Sequence, residues 1–335
     1  TLTIDANKEI HNLTLYDNAS LVVNTGFTLT VNSLILFTEG DVFTNANSGQ
    51  NITFNGTGNI VLKNGELYHD RRIDEERYYW MTLPYDAQVQ QISYANLEAN
   101  GKSPVYRTDF WVKYYDGARR AADVNGNSLG TSYWTHVAAK GSDYTIKAGQ
   151  GYNVGIDDQK TKTQADGRMH TKRVLRFTMK PGDSWAAAEK NSTKLVNVEP
   201  SSANDGKNAA HVGWNLIGNP YLHAYSANEA AGIVTGEWEK DDDDYYVIKE
   251  GTTASVPYFT LYDPSKEQGK RYAQVRTSAH TLRPYEAAFV QIESGSQMYF
   301  KSAGINRNSA PAYMRAADPD APFYTGIELR SNDAI

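Results

Sequence analysis

The sequence predicts an all-β protein, and three observations carry that prediction. Apolar and polar residues alternate in runs of three to five through the first seventy positions, broken by Asn, Gly, Asp and Thr. Tyrosine is enriched, with 23 Tyr beside 6 Trp and 10 Phe, as suits strands and wet aromatic surfaces. A set of strand-and-corner motifs then recurs in one order along the rest of the chain. The expected architecture is a short N-terminal β-solenoid over residues 1–70. An aromatic-rich antiparallel β-sandwich follows over 71–305, built from two related units at about 77–180 and 211–302. The last stretch, 306–335, reads as a linker and the first strand of a further domain.

The solenoid rests on a spacing. Leu13 and Leu15 match Leu34 and Leu36, an offset of 34 − 13 = 21, and the same offset takes Leu21 to Val42. Strand-turn-strand units of that length stack coil on coil and bury an aliphatic column. Only about three coils fit, near the minimum for stability. The region therefore reads as a stub whose open edge the next domain covers. Its Asn-x-Ser/Thr triplets at Asn12, Asn18, Asn51 and Asn55, with a fifth at Asn191, reflect turn composition rather than glycan acceptors.

The sandwich rests on an echo. Trp80-Met-Thr-Leu-Pro84-Tyr85 matches Trp214-Asn-Leu-Ile-Gly-Asn-Pro220-Tyr221. "FWVKYYDGARRA" (110–121) matches "YFTLYDPSKEQGKRYA" (258–273). "AGQGYNVGI" (148–156) matches "LRPYEAAFVQI" (282–292), and "LRFTMK" (175–180) matches "QMYFKS" (297–302). Each unit opens with a Trp strand that stops where proline removes a ladder donor. Asp116 and Asp263 stand at strand exits, where a carboxylate bonds the turn backbone. Two such units face to face predict one sandwich of about ten to twelve strands. In the second corner, Gly218-Asn219 is read as an insertion that widens the turn through a positive φ. Two short stretches, "SWAAAEK" (184–190) and "SANEAAGIV" (226–234), favour helix.

Composition narrows the setting. The net charge is −6, with no basic stripe, which argues against a nucleic-acid partner. The absence of cysteine excludes disulfides, zinc-thiolate sites and thiol nucleophiles, and in a secreted chain it favours a bacterial origin. No apolar run is long enough for a membrane-spanning segment. The chain opens on "TLTID" and stops on "TGIELRSNDAI", both inside strand patterns, so a signal or anchor is expected outside it. A monomeric module is expected.

"RYYWMTLPYDA", "AGQGYNVGI", "GWNLIGNPYLHA" and "LRPYEAAFVQI" resemble recurring signatures of large secreted and cell-surface proteins of Bacteroidota. The likeness covers roughly residues 77–302, and GWNLIGNPY is its most specific part. The resemblance implies an extracellular, adhesin-like protein joining β-solenoid repeats to aromatic-rich sandwiches. It also implies type IX secretion, through a sorting domain beyond this chain. It carries no shared catalytic motif.

Several constellations contain residues capable of chemistry. His223, between Tyr221 and Tyr225, lacks any motif that supplies a nucleophile, so a structural role at the corner is expected. "YHDRRIDEERYYW" (68–80) gathers His69, Asp70, Asp74, Glu75 and Glu76. Paired carboxylates serve glycosidases, but their alternation with Arg71, Arg72 and Arg77 predicts a solvated salt-bridge network at the domain junction. "DVNGNSLG" (123–130) begins like a calcium loop, but Trp134 occupies the position where a bidentate acid must close it. The acidic run Asp241, Asp242, Asp243 and Asp244 is the candidate metal site, with calcium the hard cation it would take and a solvated loop the plainer reading.

The candidate ligand-binding residues are aromatic: Tyr78, Tyr79, Trp111, Tyr114, Tyr115, Trp134, Tyr245 and Tyr246. Side chains alternate along a strand, so one member of each adjacent pair must face away from the core. The expected function is a non-enzymatic structural or adhesin-like module of a larger bacterial surface protein, with a surface glycan or another surface protein as partner. The alternative is a carbohydrate-binding module of a glycan-degrading protein. A glycoside hydrolase is the more distant reading.

Overall fold

A computed structural model describes residues 1–16, 19–38, 53–55, 58–74, 78–95, 104–123, 133–156, 172–179, 194–199, 211–222, 224–226, 233–236, 238–240, 246–248, 254–255, 258–262, 272–282, 285–301, 304–306 and 327–330. Across them the chain is all-β, arranged in several sheets.

Two parallel ladders build the N-terminal region. Leu2–Ile4, Ser20–Val23 and Thr53–Asn55 pair in parallel, with Leu2 beside Leu21 and Leu21 beside Phe54. Lys8–Tyr16, Thr28–Thr38 and Asn59–Asp74 pair likewise, with Leu13 beside Leu34 and Leu34 beside Leu67. The leucines recurring at the 21-residue offset are therefore ladder partners, and Leu13, Leu15, Leu34, Leu36 and Leu67 are fully buried. Polar positions follow the same offset: Ser33 Oγ donates to Asn12 Oδ1, and Asn32 bonds the His11 ring at 2.7 Å.

Asn59–Asp74 is a 16-residue strand that runs straight through the expected junction at 70/71. One flank pairs with Thr28–Thr38 and the other, from Tyr68 onward, pairs antiparallel with Lys172–Thr178. The resulting six-stranded sheet runs Ile327–Arg330, Lys8–Tyr16, Thr28–Thr38, Asn59–Asp74, Lys172–Thr178, Ser93–Tyr94. Within 306–335, where the sequence suggests a further domain, Ile327–Arg330 pairs antiparallel with Asn12–Leu15 at the sheet's edge.

Two four-stranded sheets share one order. The Trp80 sheet runs Tyr78–Met81, Tyr152–Ile156, Phe110–Tyr115, Trp134–His136, and the Trp214 sheet runs Trp214–Gly218, Ala287–Gln291, Tyr258–Tyr262, Tyr272–Arg276. Every pair in both is antiparallel. The corners match as well. Tyr85 donates its hydroxyl to Phe177 O, and Tyr221 donates its hydroxyl to Phe300 O.

Contacts between the two sheets are reciprocal. Thr82 N donates to Tyr285 O at 3.0 Å, and Gly218 N donates to Gly149 O at 2.7 Å. Met81 bridges Glu286, and Gln150 bridges Ile217. Thr82 and Gly218 each precede their corner proline by two residues, and Gly149 and Tyr285 both take a left-handed φ, 74° and 67°. Such an exchange of like contacts is the mark of a two-fold relation.

The sequence anticipates two single-layer units closing on each other, but each of these sheets has its own second layer. Tyr152–Ile156 is buried along its whole length and Ala287–Gln291 along all but its last residue, so both need cover on both faces. Tyr79, Met81, Phe110, Val112, Tyr152 and Val154 pack with Leu175 and Phe177 of the six-stranded sheet. Ile217, Phe259, Ala288 and Val290 pack with Val196, Met298 and Phe300, whose strands Lys194–Asn197 and Gln297–Phe300 belong to a third four-stranded sheet.

Three local expectations change. Gly218 takes no left-handed φ; it is glycine because a Cβ there would stand 2.3 Å from Thr82 Cγ2. Asn219 is buried, accepts from Tyr221 N at 2.9 Å and donates to Leu282 O at 3.1 Å. Counted back from proline, Leu216 rather than Trp214 occupies the place of Trp80, since 84 − 80 = 220 − 216 = 4. The stretch 184–190 lies outside the described residues, and Ile233–Gly236, at the end of the other helix-prone stretch, is a strand. The described α-helix is Gly117–Ala122, capped by Asp116, whose carboxylate accepts from Arg119 N at 2.8 Å. Asp263 lies outside the described residues.

Candidate aromatic and polar face

The Trp80 sheet divides its aromatics by strand alternation. Tyr79 and Val112 point into the core, and Tyr79 is 1% exposed, with the Arg71 guanidinium 5.5 Å from its ring. Tyr78, Trp80, Trp111, Lys113, Tyr115, Asn153, Gly155, Trp134 and His136 take the opposite face, because antiparallel partners share a side. Tyr78 is opposite Gly155 and Gly155 opposite Trp111; Trp80 is opposite Asn153, Asn153 opposite Lys113, and Lys113 opposite His136.

One end of this face is covered. Phe289 of the Trp214 sheet sets its ring edge-on to Trp80 at 4.7 Å and to Tyr115 at 4.6 Å. Trp134 lies 5.2 Å from Tyr115. Arg120, from the helix, stands 4.7 Å over Trp214 and donates to Tyr115 Oη at 2.7 Å. Edge-to-face geometry and a capping cation are how aromatic rings pack when they hold surfaces together. Tyr115 and Trp134, expected to bind ligand, therefore serve first as the joint between the two sheets.

The other end is open. Tyr78 is 40% exposed, and Trp111, Lys113 and His136 are half-buried. Tyr78 and Trp111 stand two strand spacings apart, about 9.5 Å, with only Gly155 between them. The Lys113 ammonium lies 4.8 Å over the Tyr78 ring and donates to its hydroxyl at 3.4 Å. Two polar atoms flank the lysine: Asn153 Oδ1, on a residue 7% exposed, and His136 Nδ1, both buried and without a hydrogen-bond partner among the described residues. Burial, reinforced by the charges of Arg107 and Lys113, holds His136 below its ordinary pKa and so neutral at neutral pH. A buried acceptor without a donor costs free energy and marks a place where a donor fits. Lys113 and Asn153 are the members of this face that a search for aromatics misses. Their signal is period-two alternation, which puts them on the wet side of "FWVKYY" and "YNVGI".

The remaining candidates scatter. Tyr114 is 36% exposed but lies on the side opposite Tyr115. Tyr245 lies outside the described residues; Tyr246 begins the strand Tyr246–Ile248, which pairs with Trp238–Lys240. Asp241, Asp242, Asp243 and Asp244 fall between those strands, outside the described residues, as does His223. Among the described residues no group of three or more His, Asp and Glu is placed to hold a metal ion. Of the calcium-like stretch, Asp123 is described, and its carboxylate accepts from the Tyr133 hydroxyl.

The acidic and basic stretch at 68–80 is not a solvated network where it is described. His69, Asp70 and Arg71 are at most 3% exposed, because Asn59–Asp74 is an interior strand here. Asp70 takes both nitrogens of a two-point bond from Arg176, at 2.7 and 2.6 Å. His69 stacks on Tyr285 at 3.7 Å, and burial, then the Arg71 charge, holds its pKa well below the usual value. The side chains of Asp74, Glu75 and Glu76 lie outside the described residues. No helix among the described residues is long and apolar enough to cross a membrane. Comparison with known protein families, curated proteins and solved structures finds no match to this chain.

Proposed function

We propose that this chain is a non-enzymatic, extracellular structural or adhesin-like module of a larger bacterial surface protein. In this reading a short β-solenoid continues directly into two related sandwich units. The observation that carries it is the continuity of the block. Asn59–Asp74 belongs at once to the parallel ladder and to the layer covering the Trp80 sheet. The two sheets beyond are tied by reciprocal backbone bonds and by Phe289. Load entering at one end passes through ladders rather than linkers, which suits a spacer that holds a binding surface away from a cell. The chemistry-bearing groups of the 68–80 stretch point the same way: Asp70 is engaged by Arg176, and His69 is packed beneath Tyr285.

Protease treatment of intact cells of the encoding bacterium, followed by immunodetection of this segment, tests the reading. Loss of the segment while cytoplasmic proteins survive is the expected result; full protection overturns it. The second reading, a carbohydrate-binding module, is favoured by the open pairing of Tyr78 and Trp111 across Gly155.

A further inference from the structure

The open end of the Trp80 face combines three features that a purely structural surface does not need. The first is the aromatic pair Tyr78 and Trp111, with no side chain between them at Gly155. The second is cationic. Lys113 forms no ion pair among the described residues and is held over Tyr78. The Arg107 guanidinium is near enough that its charge, with that of Lys113, is felt at His136. The third is the pair of unsatisfied buried atoms, Asn153 Oδ1 and His136 Nδ1, on the two sides of Lys113 in one cross-strand row.

From this juxtaposition we infer that the face binds an acidic saccharide, a hexuronate unit of a surface glycan. The inference deepens the carbohydrate-binding reading. It rests on the surface-module proposal only for where such a glycan is met. The chemistry assigns each part. The apolar face of a sugar ring stacks on Trp111 and Tyr78, where the negative face of the indole or phenol meets polarised C–H groups. The carboxylate pairs with Lys113, drawing the ammonium off the Tyr78 ring and uncovering the row beneath. Hydroxyls donate to Asn153 Oδ1, which accepts only, and bond the neutral His136 ring through either tautomer. A fully deprotonated inorganic anion such as sulfate or chloride is disfavoured, because it brings no proton for Asn153. A neutral sugar satisfies Asn153 but leaves both cations without a counter-charge.

Calorimetric titration of the chain with oligogalacturonate and oligoglucuronate, against neutral gluco- and galacto-oligosaccharides of the same length, tests it. The acidic ligands are expected to bind about tenfold or more tightly than the neutral ones and to weaken as salt is raised. Lys113→Gln should erase that preference, and Trp111→Ala should weaken every ligand about tenfold. Asn153→Leu supplies the control for folding: it removes the unpaired acceptor, so it should leave the melting temperature unchanged or raised while weakening binding severalfold. Neutral ligands binding as well as acidic ones overturns the assignment. So does no binding by any ligand, or affinity indifferent to Trp111→Ala and Asn153→Leu. Because the titration uses the isolated chain, it fails or succeeds independently of whether the parent protein reaches the cell surface.

Discussion

His69 links the stability of the fold to pH. It is fully buried, stacked on Tyr285, and its pKa is lowered well below 6.5 by burial and then by Arg71. A depressed folded-state pKa means that the unfolded chain takes up a proton first. Stability is therefore full above about pH 6.5 and is lost as pH falls toward the folded value, by up to about 1.4 kcal/mol per pH unit for one proton. His136 shifts in the same direction. Asp70, raised from 3.8 chiefly by burial, acts oppositely but nearer its own range, so the histidine effect is read between about pH 6.5 and 5. Chemical denaturation across that window should show a steep loss in the wild type and a shallower one in His69→Phe; equal slopes would refute the assignment. Asp70 also shows that pairing does not fully offset burial, since its pKa is raised despite the two-point bond from Arg176. Arg176→Met alone should destabilise by about 3 kcal/mol, and Asp70→Leu with Arg176→Met should recover most of that, measured by urea unfolding. The burial of 69–71 is not legible in the sequence for one reason: alternating charges on an interior strand look like alternating charges on a wet one.

At the scale of the element, the recurring unit is the corner. Trp80 to Tyr85 and Leu216 to Tyr221 each end a strand at proline and send a tyrosine hydroxyl back to a carbonyl in the neighbouring layer, Phe177 O or Phe300 O. Each tyrosine spans from its corner to the strand that covers its sheet, so it fixes the spacing between layers. Tyr85→Phe and Tyr221→Phe should each cost about 1 kcal/mol, the net worth of one lost hydrogen bond to a carbonyl that keeps its place in the ladder. The two lie in separate cores, so the double variant should cost their sum within about 0.5 kcal/mol. A clear departure from additivity in thermal unfolding would place them in one network. The corners and their order were legible in the sequence. The match of Trp80 to Trp214 that the sequence suggests does not hold; Leu216 stands in the place of Trp80, because proline rather than tryptophan sets the register.

For the whole molecule, the joint between the sheets is Phe289. It meets Trp80, Tyr115, Trp134 and Trp214, at ring distances of 4.7, 4.6, 6.0 and 6.0 Å. Its counterpart by the corner alignment is Asn153, so the two-fold relation is broken at its centre. One half of the interface is closed by an aromatic, and the other half keeps a polar group at the floor of an open face. Phe289→Ala should cost about 3–5 kcal/mol and convert one denaturation transition into two, as the cores on either side lose their coupling. A single transition in the variant would mean that the backbone exchange alone holds the halves together.

Local pattern determined what depends on near neighbours in the chain. The β class, the 21-residue leucine offset, the Pro-Tyr corners and the division of Tyr78 from Tyr79 all follow from period-two alternation and turn chemistry. Tertiary structure alone decided what depends on which surfaces meet. It made Asn59–Asp74 an interior strand, buried His69 and Asp70, used Tyr115 and Trp134 as the joint, and left Tyr78, Trp111, Lys113 and Asn153 around an open row. The reason is physical: alternation tells which side chains share a face, but burial is set by the partner layer, which comes from distant parts of the chain.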